Sequence, residues 1–241
     1  MCGDKLMCRF KKECCYATAS HSKSWVRKRH DFFPDVHCPL SSSLRRYHFE
    51  KNDRLYHQGD STKGVFTLTS GLVALERVGL EGETVILRIL HPGAFFSVSD
   101  LFADATYSAT ARAVTSVEAC FIPAEDVQAA LAQPDLRKEI LQALALYSKE
   151  DEDSIFRLCS SDLSSRLMAV LVDLADSEGA DLDGPVSLQM PVTWQDVSSM
   201  VGSSPEVISR TLRKLRLSGR IEMRGRQVTI YPQADRTGLM N

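Results

Sequence analysis

The chain has 241 residues, of which 44% are hydrophobic and 25% are charged; this length suits one large domain or two small ones, and this composition is typical of globular proteins. No apolar run reaches the ~18 residues that a membrane span needs, and the N-terminus lacks the apolar segment of a secretory signal, so we expect a cytoplasmic protein with no membrane partner. A net charge of −2 excludes a uniformly basic surface but not a local basic patch.

Residues 1–43 are rich in cysteine and in basic side chains and show no clear periodicity, so we interpret them as a poorly packed arm unless a ligand orders it. The chain has seven cysteines, and an odd number in a cytosolic protein argues for metal or redox chemistry and against a disulfide framework. Five of them belong to the arm: Cys2, Cys8, Cys14, Cys15 and Cys38.

The segment 44–123 predicts an all-β sensor domain. Short apolar runs at 65–68, 72–75 and 85–90 alternate with turn sequences such as His-Gln-Gly-Asp and His-Pro-Gly. Short strands at regular intervals between glycine-rich turns are typical of a sandwich or barrel.

The segment 124–160 switches to helical periodicity, with a short helix at 124–132 and a long one that begins near Pro134 and runs to about residue 159. One row of the long helix has heptad spacing: Leu141, Leu144, Ser148, Asp151, Ile155 and Leu158. Such a row usually packs against a copy of itself, which predicts a homodimer interface.

Asp151 is the charged member of this row. Two facing aspartates would repel one another and lose hydration, which weakens association. We therefore hypothesise that an effector reshapes the start of the helix so that dimerisation overcomes this penalty; the alternative is that Asp151 is merely solvated.

Residues 161–241 predict a winged helix-turn-helix. The expected elements are a helix at 164–176, a strand at 186–190, a helix at 194–201 that Thr193 and Asp196 cap, a helix at 205–217, and a hairpin at 221–223 and 227–230. Gly202 ends the first of the two short helices, and the hairpin supplies the wing.

The second short helix divides into two faces. Its apolar face is formed by Ile208, Leu212 and Leu215, and its polar face by Glu206, Ser209, Arg210 and Arg213. Arginine donates two hydrogen bonds to guanine and glutamate accepts one from cytosine, so the polar face suits base edges in the major groove. We expect Ser203 and Ser204, at the helix start, to donate to phosphate.

Residues 44–232 resemble the cyclic-AMP receptor / fumarate-nitrate-reduction (CRP/FNR) family of transcription regulators, because Glu206–Arg210 reads E-x-x-S-R, as in its anaerobic branch. The resemblance implies an α+β chain: a cyclic-nucleotide-binding-like β jelly roll, a long dimerisation helix and a winged helix-turn-helix. It further implies that a homodimer reads a TTGAT-like palindrome through Glu206, Ser209 and Arg210, and we expect RNA polymerase as a partner.

Cyclic AMP is not the expected ligand. Nucleotide-binding members of the family carry a glutamate for the ribose and an arginine for the phosphate. Val98 stands at the glutamate position here and Tyr107 lies near the arginine position. Without a guanidinium, the cyclic phosphate loses its charge-assisted hydrogen bonds.

The anaerobic branch holds a [4Fe-4S] cluster with three N-terminal cysteines and one in the roll, and Cys120–Pro123 resembles the segment around that fourth ligand. The candidate ligands are any four of Cys8, Cys14, Cys15, Cys38 and Cys120. Their spacing departs from the family pattern, so a thiol redox switch and chemically inert cysteines stay open. We expect Cys159 to belong to the core.

Other functions are weaker alternatives. The histidines could ligate haem and so sense a gas such as nitric oxide: His21, His30, His37, His48, His57 and His91. A metal-binding or electron-transfer protein would use the cysteines but would leave the arginine-bearing helix unexplained. An enzyme is the weakest alternative, because the sequence shows no nucleophile–base arrangement, phosphate loop or closed zinc site.

Overall fold

The computed structural model describes residues 45–103, 105–177 and 184–231. The strands that precede the long helix are β1 Arg45–Phe49, β2 Arg54–Tyr56, β3 Gly64–Ser70, β4 Val73–Val78, β5 Thr84–Leu90, β6 Phe95–Phe96, β7 Thr110–Ala113 and β8 Val117–Pro123. Strands β1, β8, β3 and β6 form one four-stranded sheet, and β2, β7, β4 and β5 form another. These are the two sheets of the predicted roll.

Apolar side chains from both sheets meet in one core. Phe66, Val117 and Ala119 enter it from the first sheet, and Val73 and Ala111 enter it from the second; all five are almost fully buried. Alternation along β8 explains this arrangement, because side chains two residues apart point to the same face of a strand. The all-β interpretation of this segment is thereby confirmed.

The helices are α1 Val98–Phe102, α2 Ala124–Ala130, α3 Pro134–Ser160, α4 Leu163–Ser177, α5 Trp194–Val201 and α6 Pro205–Leu217; the remaining strands are β9 Val186–Gln189, β10 Ile221–Arg224 and β11 Gln227–Ile230. A second, smaller core on the outer face of the roll joins Val65 and Ile122 to Val127 of α2 and Ile140 of α3. The short helix α1 was not predicted from the sequence, because five residues are too few to show a helical periodicity. Within the described residues, no helix is long and apolar enough to cross a membrane.

Contacts divide the chain into two units. Among the described residues, one unit contains 45–75 and 89–147, and the other contains 76–88 and 148–231. The tip of the β4–β5 hairpin thus belongs with the second half of α3 and the C-terminal elements. In that unit, strands β10, β11 and β9 form an antiparallel sheet beside α4, α5 and α6.

Candidate nucleic-acid interface

The turn between α5 and α6 has the local geometry that its sequence predicts. Thr193 and Asp196 form a complete capping box at the start of α5. Gly202 ends that helix with φ at 64°, a left-handed conformation that glycine adopts without steric cost. Ser204 then caps α6 and Pro205 occupies its first turn. Capping at both helices therefore fixes the point where α6 begins.

The two faces of α6 separate as expected. Ile208, Leu212 and Leu215 are buried, and α6 contacts both α4 and α5. Glu206, Ser209, Arg210 and Arg213 are all exposed. The structure therefore places the four side chains proposed to contact bases together on one solvent-facing side of the helix.

Glu206 is held as a carboxylate at the start of this exposed face. A hydrogen bond from the Ser204 hydroxyl lowers the pKa of the Glu206 carboxyl, and its own backbone N–H and the positive charge of Arg210 act in the same direction. The Ser204 oxygen also accepts a hydrogen bond from the Val207 N–H at 3.4 Å. Ser204 therefore organises the start of α6, whereas phosphate contacts by Ser203 and Ser204 stay a prediction.

The arginines around the wing have different roles. Arg226 donates from Nη2 to the Met190 carbonyl oxygen at 2.7 Å, which ties the wing to the segment before α5. A groove of about 530 Å³ separates the end of α6 from β10. It is lined by Arg213, Arg216, Leu217, Ile221, Glu222, Met223 and Arg224. Of these residues only Arg213 was predicted from the sequence as a DNA contact, because the groove forms between α6 and the strand that follows it.

The predicted dimer row on α3 is largely exposed. Leu141 and Ile155 are 60% and 61% exposed, and Ser148, Asp151 and Leu158 are exposed as well. Leu144 is the exception in this row, because its side chain is partly buried against the smaller core of the roll. Most of the row is thus available to a partner.

Asp151 has a partner within its own chain, which the sequence did not predict. Arg88 Nη2 donates to Asp151 Oδ1 at 2.6 Å, and Arg88 Nη1 lies 3.2 Å from Glu150 Oε2.

The prediction that Cys159 belongs to the core is wrong, since its thiol is exposed near the end of α3.

Val98 and Tyr107, which the resemblance places at or near the family's nucleotide-binding positions, both lie in the interior of the roll. Tyr107 is buried and stacks on Tyr56 with 3.8 Å between ring centroids, and Val98 is also buried. The Tyr56 hydroxyl accepts a hydrogen bond from Ser97 Oγ at 2.7 Å. Burial raises the pKa of both tyrosines, so both phenols are neutral at physiological pH. Neither Val98 nor Tyr107 supplies the charge that a cyclic nucleotide requires.

Cys120 is the one candidate cluster ligand within the described residues, and Cys8, Cys14, Cys15 and Cys38 lie outside them. The Cys120 thiol is buried on β8, where its residue pairs with Arg46 of β1. Strand β1, which begins at Arg45, is the first described segment after the cysteine-rich arm in the sequence. Among the described side chains, no group of three or more metal-ligating residues occurs, and a cluster would therefore depend on cysteines of the arm.

The histidines offer little support for haem. His48 Nε2 lies 3.1 Å from Glu50 Oε1 at the surface, His57 is exposed, and His91 is half-buried. His21, His30 and His37 lie outside the described residues.

Comparison with known proteins matches both halves of the chain. A cyclic nucleotide-binding domain matches residues 46–134, and a Crp-like helix-turn-helix domain matches residues 165–237. The chain is 28% identical to the global nitrogen regulator of Synechococcus elongatus over 188 residues, which cover 76% of this chain and 84% of that protein. It is 26% identical to the cAMP-activated global transcriptional regulator CRP of Salmonella typhimurium over 203 residues, which cover 82% of this chain and 96% of that one.

A solved transcriptional regulator of the CRP/FNR family from Thermus thermophilus superposes with a TM-score of 0.65 at 26% identity, covering 77% of this chain and 93% of the other. Of these three relatives, only the Salmonella protein is named for an effector, cAMP, and the comparisons do not single out the anaerobic branch. The relatives are transcription regulators and not enzymes, which supports a non-enzymatic role. Two domain matches in this order, on the predicted fold, identify the chain as a DNA-binding transcription regulator of the CRP/FNR family.

Proposed function

We propose that this regulator reads a TTGAT-like inverted repeat as a homodimer in the cytoplasm, with α6 in the major groove. The observation that carries the proposal is the exposed face of α6, where an ionised Glu206 precedes Arg210 by one helical turn. Such a face offers a hydrogen-bond acceptor and a bidentate donor to neighbouring base pairs. Ser209 completes the base-reading set, and Arg213 extends it along the helix.

The dimer would form along α3. Its exposed apolar side chains Leu141, Ile155 and Leu158 recur at heptad positions, and side chains of this kind are stabilised by packing against a copy of the same helix. A two-fold dimer would present two α6 helices to the two halves of a palindrome. RNA polymerase would then be the downstream partner.

The effector is proposed to be oxygen or redox state rather than cyclic AMP. Cys120 lies beside the strand that continues from the cysteine-rich arm, which favours sensing by arm cysteines together with Cys120. The stacked pair Tyr56 and Tyr107 occupies the roll interior and supplies no positive charge to a phosphate. A [4Fe-4S] cluster would be held by four thiolates of this set.

The test is fluorescence anisotropy of the purified protein on a labelled TTGAT palindrome and on a scrambled duplex of equal length, over a series of salt concentrations. Specific binding should exceed scrambled binding by at least about a thousandfold, and both affinities should fall with salt as counterions are released. Equal affinity for the two duplexes would contradict the proposal.

A further inference from the structure

Asp151, the charged residue of the predicted dimer row on α3, is partly neutralised by an arginine of its own chain. Arg88 reaches two consecutive residues of α3, one with each terminal nitrogen: Asp151 at 2.6 Å and Glu150 at 3.2 Å. The Arg88 side chain is only 19% exposed, whereas that of Asp151 is 67% exposed. A guanidinium suits this geometry because its planar fork presents two separate donor edges, which a lysine ammonium lacks.

The two carboxylates lie on different sides of α3. Glu150 is half-buried, as are Tyr147 and Ser154 on the same side of the helix, whereas Asp151 belongs to the exposed row with Ile155. Consecutive helical residues are about 100° apart around the axis, so Arg88 spans the boundary between the inner side and the row. Its charge therefore lies at the edge of the surface that a second copy would cover.

This placement changes the electrostatics of self-association. Without Arg88, each copy would bring an unneutralised Asp151 carboxylate to the interface, where it would repel its counterpart and lose hydration. With Arg88 in place, a cation lies within hydrogen-bond distance of the Asp151 that would face its counterpart.

We propose that Arg88 is a positioning residue for the dimer, which makes Asp151 compatible with self-association of α3. This inference rests on the α3 dimer proposed above. Arg88 is on β5, two residues before Leu90, whose side chain is buried in the core of the roll. A change in the roll that displaces this strand would therefore withdraw the cation and weaken the dimer.

The experiment measures the monomer–dimer dissociation constant by sedimentation equilibrium for the full-length wild type, R88Q, R88K, D151N and R88Q/D151N. R77Q is the matched control, since Arg77 is an exposed arginine on β4 of the same hairpin. R88Q should raise the dissociation constant about tenfold, because both copies then bring an unneutralised Asp151 to the interface, and R77Q should leave it unchanged. R88K should fall between wild type and R88Q. D151N should tighten the dimer and should remove most of the effect of R88Q in the double variant.

A second variant separates electrostatics from misfolding. The reversal R88D should dissociate the dimer, and R88D/D151R should restore it if the two side chains act as a pair, whereas a folding defect would persist in the double variant. A dimer whose dissociation constant is the same in wild type and R88Q would overturn the role of Arg88 while leaving the proposed function intact. A wild type that stays monomeric would overturn both.

Discussion

Glu206 and Arg210 provide complementary chemistry on one turn of α6. The carboxylate accepts hydrogen bonds and the guanidinium donates them, so on the proposed function the two side chains together would distinguish base pairs that neither could distinguish alone. The Ser204 hydroxyl lowers the pKa of the Glu206 carboxyl, so this carboxylate is ionised at neutral pH. It becomes protonated only when the pH falls below the usual pKa of a glutamate. Base recognition should therefore be insensitive to pH near neutrality.

Glu206→Gln should relax discrimination at one base pair of each half-site by about 1–3 kcal/mol, because the neutral amide no longer offers two acceptor oxygens. Competition binding against operators changed at one base pair at a time measures this. Glu222→Gln in the wing is the control and should retain the full preference. An unchanged preference at every base pair in the Glu206 variant would remove this residue from the reading face.

At the residue scale, Tyr107 leads us to expect no response to cyclic AMP. Its ring is buried against Tyr56 near the position where relatives bind phosphate, so the nucleotide would have to displace a stacked aromatic pair without gaining an ion pair. A ligand that binds only the folded state raises the melting temperature. Differential scanning fluorimetry should show no shift with cyclic AMP, and a saturable rise in Tm would refute this prediction.

The recognition element depends on its capping interactions. At the start of α5, the Thr193 oxygen accepts from the Asp196 N–H at 3.1 Å, and the Asp196 carboxylate accepts from the Thr193 N–H at 2.8 Å. These two bonds satisfy backbone donors that a helix start leaves unpaired. They therefore help to fix the first helix of the pair, against which α6 packs.

Thr193→Ala should lower the free energy of unfolding of the C-terminal unit by about 1 kcal/mol, because it removes one half of the capping box. Urea denaturation followed by Trp194 fluorescence measures this. Ser199→Ala, within the same helix, should cause no comparable loss. If both variants unfold at the same urea concentration as wild type, the cap does not stabilise this helix.

Elements with a strong local signal were predictable from the sequence, and contacts between distant residues were not. Helix α6 occupies its predicted range, because the signals that define it lie within or next to the helix itself: a capping serine, a proline in the first turn and a regular spacing of apolar residues. The Arg88–Asp151 ion pair joins residues 63 positions apart, and no local pattern encodes such a separation. Cys159 was misplaced because its apolar character suggested burial, whereas it lies on an exposed side near the end of α3.

At the scale of the whole molecule, the proposed redox sensing would require cysteines of the arm to act together with Cys120 of the roll. Strand β1, with which the described chain begins, pairs with β8 in a register that sets Arg46 opposite Cys120. Cys120 is the one buried cysteine within the described part of the chain. A cluster would thus join cysteines of the arm to a thiol of the roll.

Protein purified without oxygen should contain close to four iron and four sulfide per chain and should absorb in the visible range. Cys120→Ser should lose most of the iron, because a cluster needs its full set of thiolates. Cys159→Ser is the matched control and should keep it, since this exposed cysteine does not belong to the proposed ligand set. Wild type without iron and sulfide would contradict the cluster.

The central claim is that the exposed face of α6 reads bases, and the most direct measurement is the ratio of operator to scrambled-duplex affinity for wild type and Arg210→Ala at one salt concentration. The arginine should contribute about 1–3 kcal/mol of base discrimination, so the ratio should fall by roughly tenfold to a hundredfold or more. Arg77→Ala should leave the ratio unchanged. A folded Arg210→Ala protein that prefers its operator by the same ratio as wild type would contradict the account.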